Sequence, residues 1–190
     1  MSGVDHRNTL ISVSNLGSLL QEQGKLEEAE TLFRRALTVN ERVLGTDHPD
    51  TLNSVGWLGS LLHDQGKLEE AEAMYRRSLE ASERVLGGDH PGTLSSTNNL
   101  GSLLKDQGRL EEAEVLFRRA LEGSERVFGG GADDEYTLNA RGNLGLLLMK
   151  RGDVSGEEMV RDVLSSLLSP PHSLPETHLW IKKFNHALEL

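Results

Sequence analysis

The chain has 190 residues, no cysteine and a formal net charge of −10. The missing cysteine excludes disulfides, thiolate metal sites and cysteine nucleophiles and fits a cytoplasmic protein. The negative net charge argues against nucleic acid and anionic membranes as partners, since both need a basic protein surface. No apolar run approaches the ~20 residues of a membrane-spanning helix.

The sequence repeats itself with a period of 42 residues. The pentapeptide Leu-Gly-Ser-Leu-Leu occurs three times and a weaker variant once, at residues 16–20, 58–62, 100–104 and 144–148. A second string, His-Pro-Asp-Thr-Leu at 48–52, returns as His-Pro-Gly-Thr-Leu at 90–94. Repetition at this period predicts an array of similar supersecondary units stacked on one another.

The first repeat is predicted to form two helices, A and B. Helix A extends from about Thr9 to Gln23, because Leu16, Leu19 and Leu20 have the i, i+3, i+4 spacing of one helix face and should contact helix B and neighbouring units. Gly24 ends it. Helix B extends from about Lys25 to Leu44. The same pattern predicts further helices at residues 51–65, 67–86, 93–107 and 109–128.

Small residues predict where the two helices of a unit cross. Gly17 lies in the middle of helix A, where glycine costs about 1 kcal/mol relative to alanine. Its recurrence at 59, 101 and 145 indicates a crossing with no room for a Cβ atom. The predicted opposing residues are an alanine and an aromatic in each helix B: Ala29 and Phe33, Ala71 and Tyr75, Ala113 and Phe117.

The fourth unit departs from this pattern. An ungapped alignment would bury the charges of Glu157 and Arg161, whereas a one-residue deletion in the A–B turn puts Gly156 at the small position and Val160 at the aromatic one. After two prolines, Pro175–Leu190 predicts a last helix. It is interpreted as a cap on the apolar edge of the array, with a separate docking helix for a partner as the alternative.

These residues resemble the tetratricopeptide repeat family, and the 42-residue period and the His-Pro-Asp-Thr-Leu linker are most similar to kinesin light chain repeats. The resemblance implies an all-α solenoid of four helix pairs and a C-terminal capping helix, wound as a right-handed superhelix. We assign a single repeat domain over 1–190. It contains repeats at 9–50, 51–92 and 93–136, a degenerate repeat at 137–171 and the capping helix at 172–190.

Catalytic chemistry has no support in the sequence, and we expect no enzyme, cofactor or metal site. His6, His48 and His90 share one linker position, which indicates turn or cap chemistry rather than metal binding. Carboxylate pairs such as Glu69-Glu70 recur at each helix B start, where they complement the helix dipole. No nucleophile elbow, Walker motif or dinucleotide fingerprint occurs.

A binding groove is the remaining candidate site, since stacked hairpins place helix A of each pair on the concave wall. The groove residues predicted by helical position are Asn15, Asn53, Trp57, Ser60, Ser95, Asn98, Asn99, Ser102, Lys105, Asn139 and Asn143. Asparagine amides can clamp the backbone of an extended peptide. The resemblance implies that Asn98 and Asn99 hold it. Trp57 is either an anchor for the partner or packed on a neighbouring helix.

The predicted function is a protein–protein interaction scaffold or adaptor that binds an unidentified peptide or protein in this groove. The alternative is a homo-oligomer formed through the uncapped N-terminal edge, where the first helix should expose apolar surface, or through the C-terminal helix. A clamp for acidic chaperone C-termini is disfavoured, because helix A lacks the basic residues it needs. The resemblance also implies cargo motifs that pair Trp with acidic residues and need basic groove positions, for which Lys105, Arg141 and Lys150 are the nearby candidates.

Overall fold

A computed structural model describes residues 7–129, 134–169 and 179–188, and over these residues it contains helices and no strand. The helices are α1 (Arg7–Glu22), α2 (Leu26–Leu44), α3 (Pro49–Asp64), α4 (Leu68–Leu86), α5 (Pro91–Asp106), α6 (Leu110–Phe128), α7 (Glu135–Lys150), α8 (Ser155–Leu168) and α9 (Leu179–Leu188). The predicted all-α fold of four helix pairs and a final helix is confirmed. None of these helices combines the length and apolar character needed to cross a bilayer.

The chain forms two compact units, Met1–Leu103 and Leu104–Leu190, and the division falls inside α5. The first unit contains α1 to α4 and most of α5. The second unit contains the end of α5 and α6 to α9. The assignment of one domain to the whole chain stays a prediction.

The linker string is a helix-start signal. Pro49 is the first residue of α3, and the His48 ring accepts a hydrogen bond through Nδ1 from the Asp50 amide at 3.1 Å. The Thr51 hydroxyl donates to the Gly45 carbonyl at 2.7 Å and so ties the linker to the end of α2. His90 repeats the cap on the Gly92 amide at 3.1 Å. The predicted turn role is thus confirmed for both histidines, while His6 lies outside the described residues.

The helix crossing lies where the repeated glycines predicted it. A Cβ atom on Gly17 would be 2.7 Å from the Phe33 ring, and one on Gly59 would be 2.9 Å from the Tyr75 ring. Both distances are shorter than real Cβ contacts, so only glycine lets the two helices approach this closely. The opposing alanines, Ala29 and Ala71, are fully buried.

The fourth pair confirms the one-residue deletion. A Cβ atom on Gly156 would lie 2.5 Å from the Gly145 carbonyl oxygen, so Gly156 occupies the small position of α8. Val160 is completely buried in place of the aromatic residue, and Glu157 and Arg161 are exposed and form an ion pair at 2.7 Å. The shortened turn therefore keeps both charges in water.

The helix α9 covers the apolar side of the fourth pair. Ile181 and Phe184 are buried in one cluster with Leu138 of α7 and with Val160 and Val163 of α8. A side chain at Gly142 would collide with the Phe184 ring. The predicted capping helix is confirmed over Leu179–Leu188, and the rest of the predicted span lies outside the described residues.

The expectation that the leucines of α1 are covered by neighbouring helices is wrong for two of them. Leu16 and Leu19 were expected to contact helix B and neighbouring units, but their side chains are 48% and 49% exposed. The reason is positional: α3 packs against both α2 and α4, whereas α1 packs against α2. The expectation that the first helix exposes apolar surface is confirmed.

Candidate peptide-binding surface

The predicted groove residues lie on the first helix of each pair, and we call the solvent-facing side of these helices, within each of the two units, the A-helix face. Asn15, Asn53 and Ser95 are exposed, as is part of Trp57. Ser60, Asn99, Ser102, Lys105 and Asn139 are half-buried, and Asn98 and Asn143 are buried. In α3 this side is polar because Leu58, Leu61 and Leu62 are buried on the other side.

Trp57 is packed on a neighbouring helix pair, and its role as an anchor for a partner stays a prediction. Its ring stacks on Phe33 of the preceding helix pair, with ring centroids 6.4 Å apart and an interplanar angle of 27°. The side chain nevertheless stays 38% exposed. A partly exposed aromatic whose orientation is set by a buried neighbour presents a rigid apolar surface at little cost in conformational entropy.

Asn98 and Asn99 differ in accessibility although they are adjacent. Asn98 is only 7% exposed and is engaged in interactions inside the protein. Asn99 is half-buried and keeps part of its surface in solvent. Since successive helix residues are about 100° apart, only one of the pair can face outward, and that residue is Asn99.

A polar ladder joins neighbouring A helices in the first unit. Gln21 of α1 donates through Nε2 to the Asp64 carboxylate at 2.6 Å and to the Ser60 hydroxyl at 3.4 Å. Below it, burial raises the pKa of Tyr75 to about 12, an effect opposed by its hydrogen bond with Ser60. Ser60 therefore hydrogen-bonds both the buried phenol of Tyr75 and the surface amide of Gln21, and these two contacts fix the orientation of its hydroxyl.

In the second unit a residue from α9 joins the A-helix face. Asn143 donates through Nδ2 to Asn139 Oδ1 at 2.8 Å and accepts through Oδ1 from Lys183 Nζ at 3.1 Å. Burial lowers the pKa of the Lys183 ammonium to about 8, with repulsion from Lys105 as the next cause. Lys105 itself lies 3.6 Å from Asp106.

Lys183 is the functional candidate that the sequence analysis missed. The predicted groove residues included none from the last helix. The sequence marks Lys183 only by its position next to the apolar Phe184.

The two other basic residues named in the sequence analysis, Arg141 and Lys150, do not share the contacts of Lys105. Arg141 donates to Glu125 at 3.0 Å, and Lys150 is exposed.

Other sites for small ligands are weak in the part of the chain that the structure describes. No three histidine, aspartate or glutamate side chains converge there in a way that would hold a metal ion. An open cleft of about 400 Å³ lies at the turn between α7 and α8, lined by Glu114, Leu148, Arg151, Gly152 and Asp153. Arg151 there forms an ion pair with Glu114, and the Asp153 carboxylate accepts hydrogen bonds from the Ser155 amide and hydroxyl.

Comparisons with known proteins agree with this architecture. Family models described as tetratricopeptide repeat match residues 9–50, 55–126 and 96–155. No curated protein matches the sequence. Among solved structures, BtubC (BKLC) from P. vanneervenii is similar at 23% identity and a TM-score of 0.75, covering 95% of this chain and 70% of that one.

A kinesin light chain-type protein of Podosopora anserina with nearly identical TPR-like repeats is also similar. It has 21% identity and a TM-score of 0.74, and the match covers 96% of this chain and 85% of that chain. A second structure of the same protein gives 21% identity and a TM-score of 0.73, with coverage of 94% and 82%. At these identities the likeness concerns the fold.

Proposed function

Because this chain belongs to the tetratricopeptide repeat family, with repeats of the kinesin light chain-like subtype, we propose that it is a non-catalytic scaffold or adaptor that binds an extended peptide or a partner protein on its A-helix face. Repeats of this family generally mediate protein–protein interaction. The observation that carries the proposal is the division of α3 into two sides: buried leucines on one, and the exposed Asn53 and Trp57 on the other.

The chemistry of the face suits a peptide backbone. Asn53 and Asn99 each offer an amide donor and a carbonyl acceptor, which match the amide groups of an extended chain whatever its side chains are. The exposed side of Trp57 offers an apolar surface that a partner side chain can cover. Together these groups favour an extended segment over a small molecule, which would need an enclosed pocket.

The proposal is tested by removing the anchor without disturbing the fold. Trp57→Ala should weaken binding to an array of short peptides by about thirtyfold, the loss expected for a central aromatic anchor. Val85→Ala is the matched control, because Val85 is an exposed apolar residue on helix α4 of the same pair. Circular dichroism should show unchanged helicity in both variants. Equal binding by both variants, with the fold intact, would rule out the A-helix face.

A second function is favoured by a specific observation, the exposure of Leu16 and Leu19 on α1. Two neighbouring leucines half in water form an apolar patch of the kind that marks interfaces. Self-association through this patch would make the molar mass from light scattering grow with protein concentration. Replacing both leucines by serine should abolish that growth, whereas a mass that is constant over the whole range removes this alternative.

A further inference from the structure

We propose that the outer edge of the first helix pair binds an amphipathic helix of a partner protein, with glutamates at the spacing of Glu30 and Glu41 in α2. The outer edge consists of exposed residues of α1, of α2 and of the turn between them: Leu16, Leu19, Gln23, Lys25, Glu28 and Arg35. It contains none of the predicted groove residues, so this inference goes beyond binding at the A-helix face. It also assigns the two leucines a partner other than a second copy of the chain.

The second helix pair shows how such a surface binds a helix. One repeat later, the six positions of the outer edge carry the same six residue types: Leu58, Leu61, Gln65, Lys67, Glu70 and Arg77. These residues belong to the pair formed by α3 and α4, and α3 packs against α2 of the preceding pair. The outer edge therefore repeats, residue for residue, a surface that already has a helix packed against it within the first unit.

The glutamates of α2 make the polar contacts with the second pair. Glu30 accepts from Lys67 Nζ at 2.9 Å and from Gln65 Nε2 at 2.9 Å. Glu41 accepts from the Arg77 guanidinium at 2.5 Å. On the outer edge the same donors are a lysine, a glutamine and an arginine that face solvent. A helix that offers two carboxylates at this spacing would satisfy all three donors at once.

A contact of the opposite polarity fixes the direction of the bound helix. Arg34 of α2 donates to the Glu70 carboxylate at 3.3 Å, and Glu28 is the equivalent residue of the outer edge. Positions 30, 34 and 41 lie close to one side of a helix with 3.6 residues per turn. The ligand is therefore a helix with a glutamate, an arginine four residues later and a second glutamate eleven residues after the first. Reversing such a helix would bring like charges together.

The apolar centre of the outer edge supplies the driving force. Leu58 and Leu61 are 1% and 0% exposed, whereas Leu16 and Leu19 are 48% and 49% exposed. Covering two half-exposed leucines removes apolar surface from water, which is the main favourable term in protein association. The flanking charges then select the partner. Leucine burial and charge pattern together describe the helix-in-groove mode of recognition.

A second copy of the chain lacks a helix of this kind to offer. In each copy, Glu30 and Glu41 of α2 already accept hydrogen bonds from Lys67 and Arg77 of the same chain. Presenting these glutamates to another molecule would require separation of the first and second helix pairs. The charge pattern of the outer edge therefore favours a helix from a different protein.

The experiment uses the full chain and a defined probe, a blocked and fluorescently labelled peptide with the sequence of residues 26–44. Fluorescence anisotropy at a low peptide concentration should show saturable binding. The same peptide with Glu30→Gln and Glu41→Gln should bind about fivefold more weakly, as expected for two partly exposed ion pairs. Equal binding of the two peptides overturns the proposal, because the charge pattern would then select nothing.

Two variants of the protein locate the peptide. Replacing Leu16 and Leu19 by serine should weaken binding by about tenfold or more, since their apolar contacts are lost. Val85→Ser is the matched control, because Val85 is 44% exposed on α4 and lies off the outer edge. Arg35→Glu keeps both leucines and should also weaken binding, and a peptide with Glu41→Arg should restore it. Circular dichroism checks that each variant stays folded.

The remaining outcomes decide between this proposal and the others. Unchanged binding in both the leucine variant and Arg35→Glu overturns the proposal. So does a molar mass that grows with protein concentration while the peptide fails to bind, which assigns the outer edge to a second copy. Trp57→Ala should leave binding of this peptide unchanged, and a loss there would place the peptide on the A-helix face instead. If Trp57→Ala weakens binding to the peptide array and the α2 peptide does not bind, the A-helix face stands and the outer edge falls.

Discussion

The helices α1 and α3 carry the same pentapeptide, Leu-Gly-Ser-Leu-Leu, in two different surroundings. In α3, Leu58 and Leu61 are 1% and 0% exposed, whereas their counterparts in α1, Leu16 and Leu19, are about half exposed. Both helices have the same geometry and the same glycine crossing. The difference shows that burial of a repeat leucine depends on the presence of a neighbouring pair on its outer side.

The polar contacts of the two pairs differ in the same way. Lys67 of the second pair donates to Glu30 of the first at 2.9 Å, and Arg77 and Arg84 form ion pairs with Glu41 and Asp47. Lys25 and Arg35 hold the positions of Lys67 and Arg77 in the first repeat. The outer edge of the first pair thus carries the basic residues that, one repeat later, contact the carboxylates of the preceding pair.

The largest expected effect concerns the leucines. Leu58→Ala should reduce the free energy of unfolding by about 2–5 kcal/mol, because Leu58 is 1% exposed and its truncation leaves a cavity in the core. Leu16→Ala, the same change in the same pentapeptide, should cost at most about 1 kcal/mol, since little apolar contact is lost. Urea unfolding of the full chain measures both. Equal losses would mean that another surface covers α1 in solution.

A smaller loss of stability is expected when the crossing glycines are replaced by alanine, and the loss should be similar in α1 and α3. Gly59→Ala should be less stable than Gly56→Ala by about 1–3 kcal/mol, because the new methyl group overlaps the Tyr75 ring, whereas Gly56 has open space at its Cβ position. Gly17→Ala should behave like Gly59→Ala, since its crossing lies within one pair. Thermal melts give the comparison. A stable Gly17→Ala variant would show that the first crossing is looser than the second.

The smallest effect concerns Glu30, whose pKa is lowered to about 2 by hydrogen bonds from Lys67, Gln65 and Arg34, in that order. The folded pKa lies below the ordinary value of 4.5, so this contribution to stability is present above pH 4.5 and is lost as the pH falls towards 2. Lys67→Met should therefore cost up to about 1 kcal/mol at neutral pH and reduce the acid sensitivity of unfolding.

The matched control for this change is Lys25→Met, at the same repeat position on the exposed edge. Neither its stability nor its pH profile should differ from those of the parent. Denaturant titrations at neutral pH and at pH 3 distinguish the two variants. If Lys25→Met loses as much stability as Lys67→Met, then the basic edge of the first pair is engaged by an acidic surface in solution.

Much of the candidate site was less predictable than the fold. The helical period placed Asn53 and Trp57 on the outer side of α3, where the structure has them. The predicted groove included both Asn98 and Asn99, yet Asn98 is buried. It also missed Lys183, because the register of α9 against α7 depends on how Phe184 packs over Gly142. No periodicity in the sequence encodes that contact.

The sequence by itself determined the 42-residue period and the shortened turn that puts Gly156 at the crossing. It placed the starts of α3 and α5 at residues 51 and 93, two residues after the observed starts at Pro49 and Pro91. These features depend on residues a few positions apart, where backbone sterics and capping act. Only the tertiary structure decided that identical leucines are buried in α3 and exposed in α1, and that Lys183 reaches Asn143. Those outcomes depend on contacts between residues about 40 positions apart in the chain, and solvent exposure is a property of the neighbours rather than of the segment itself.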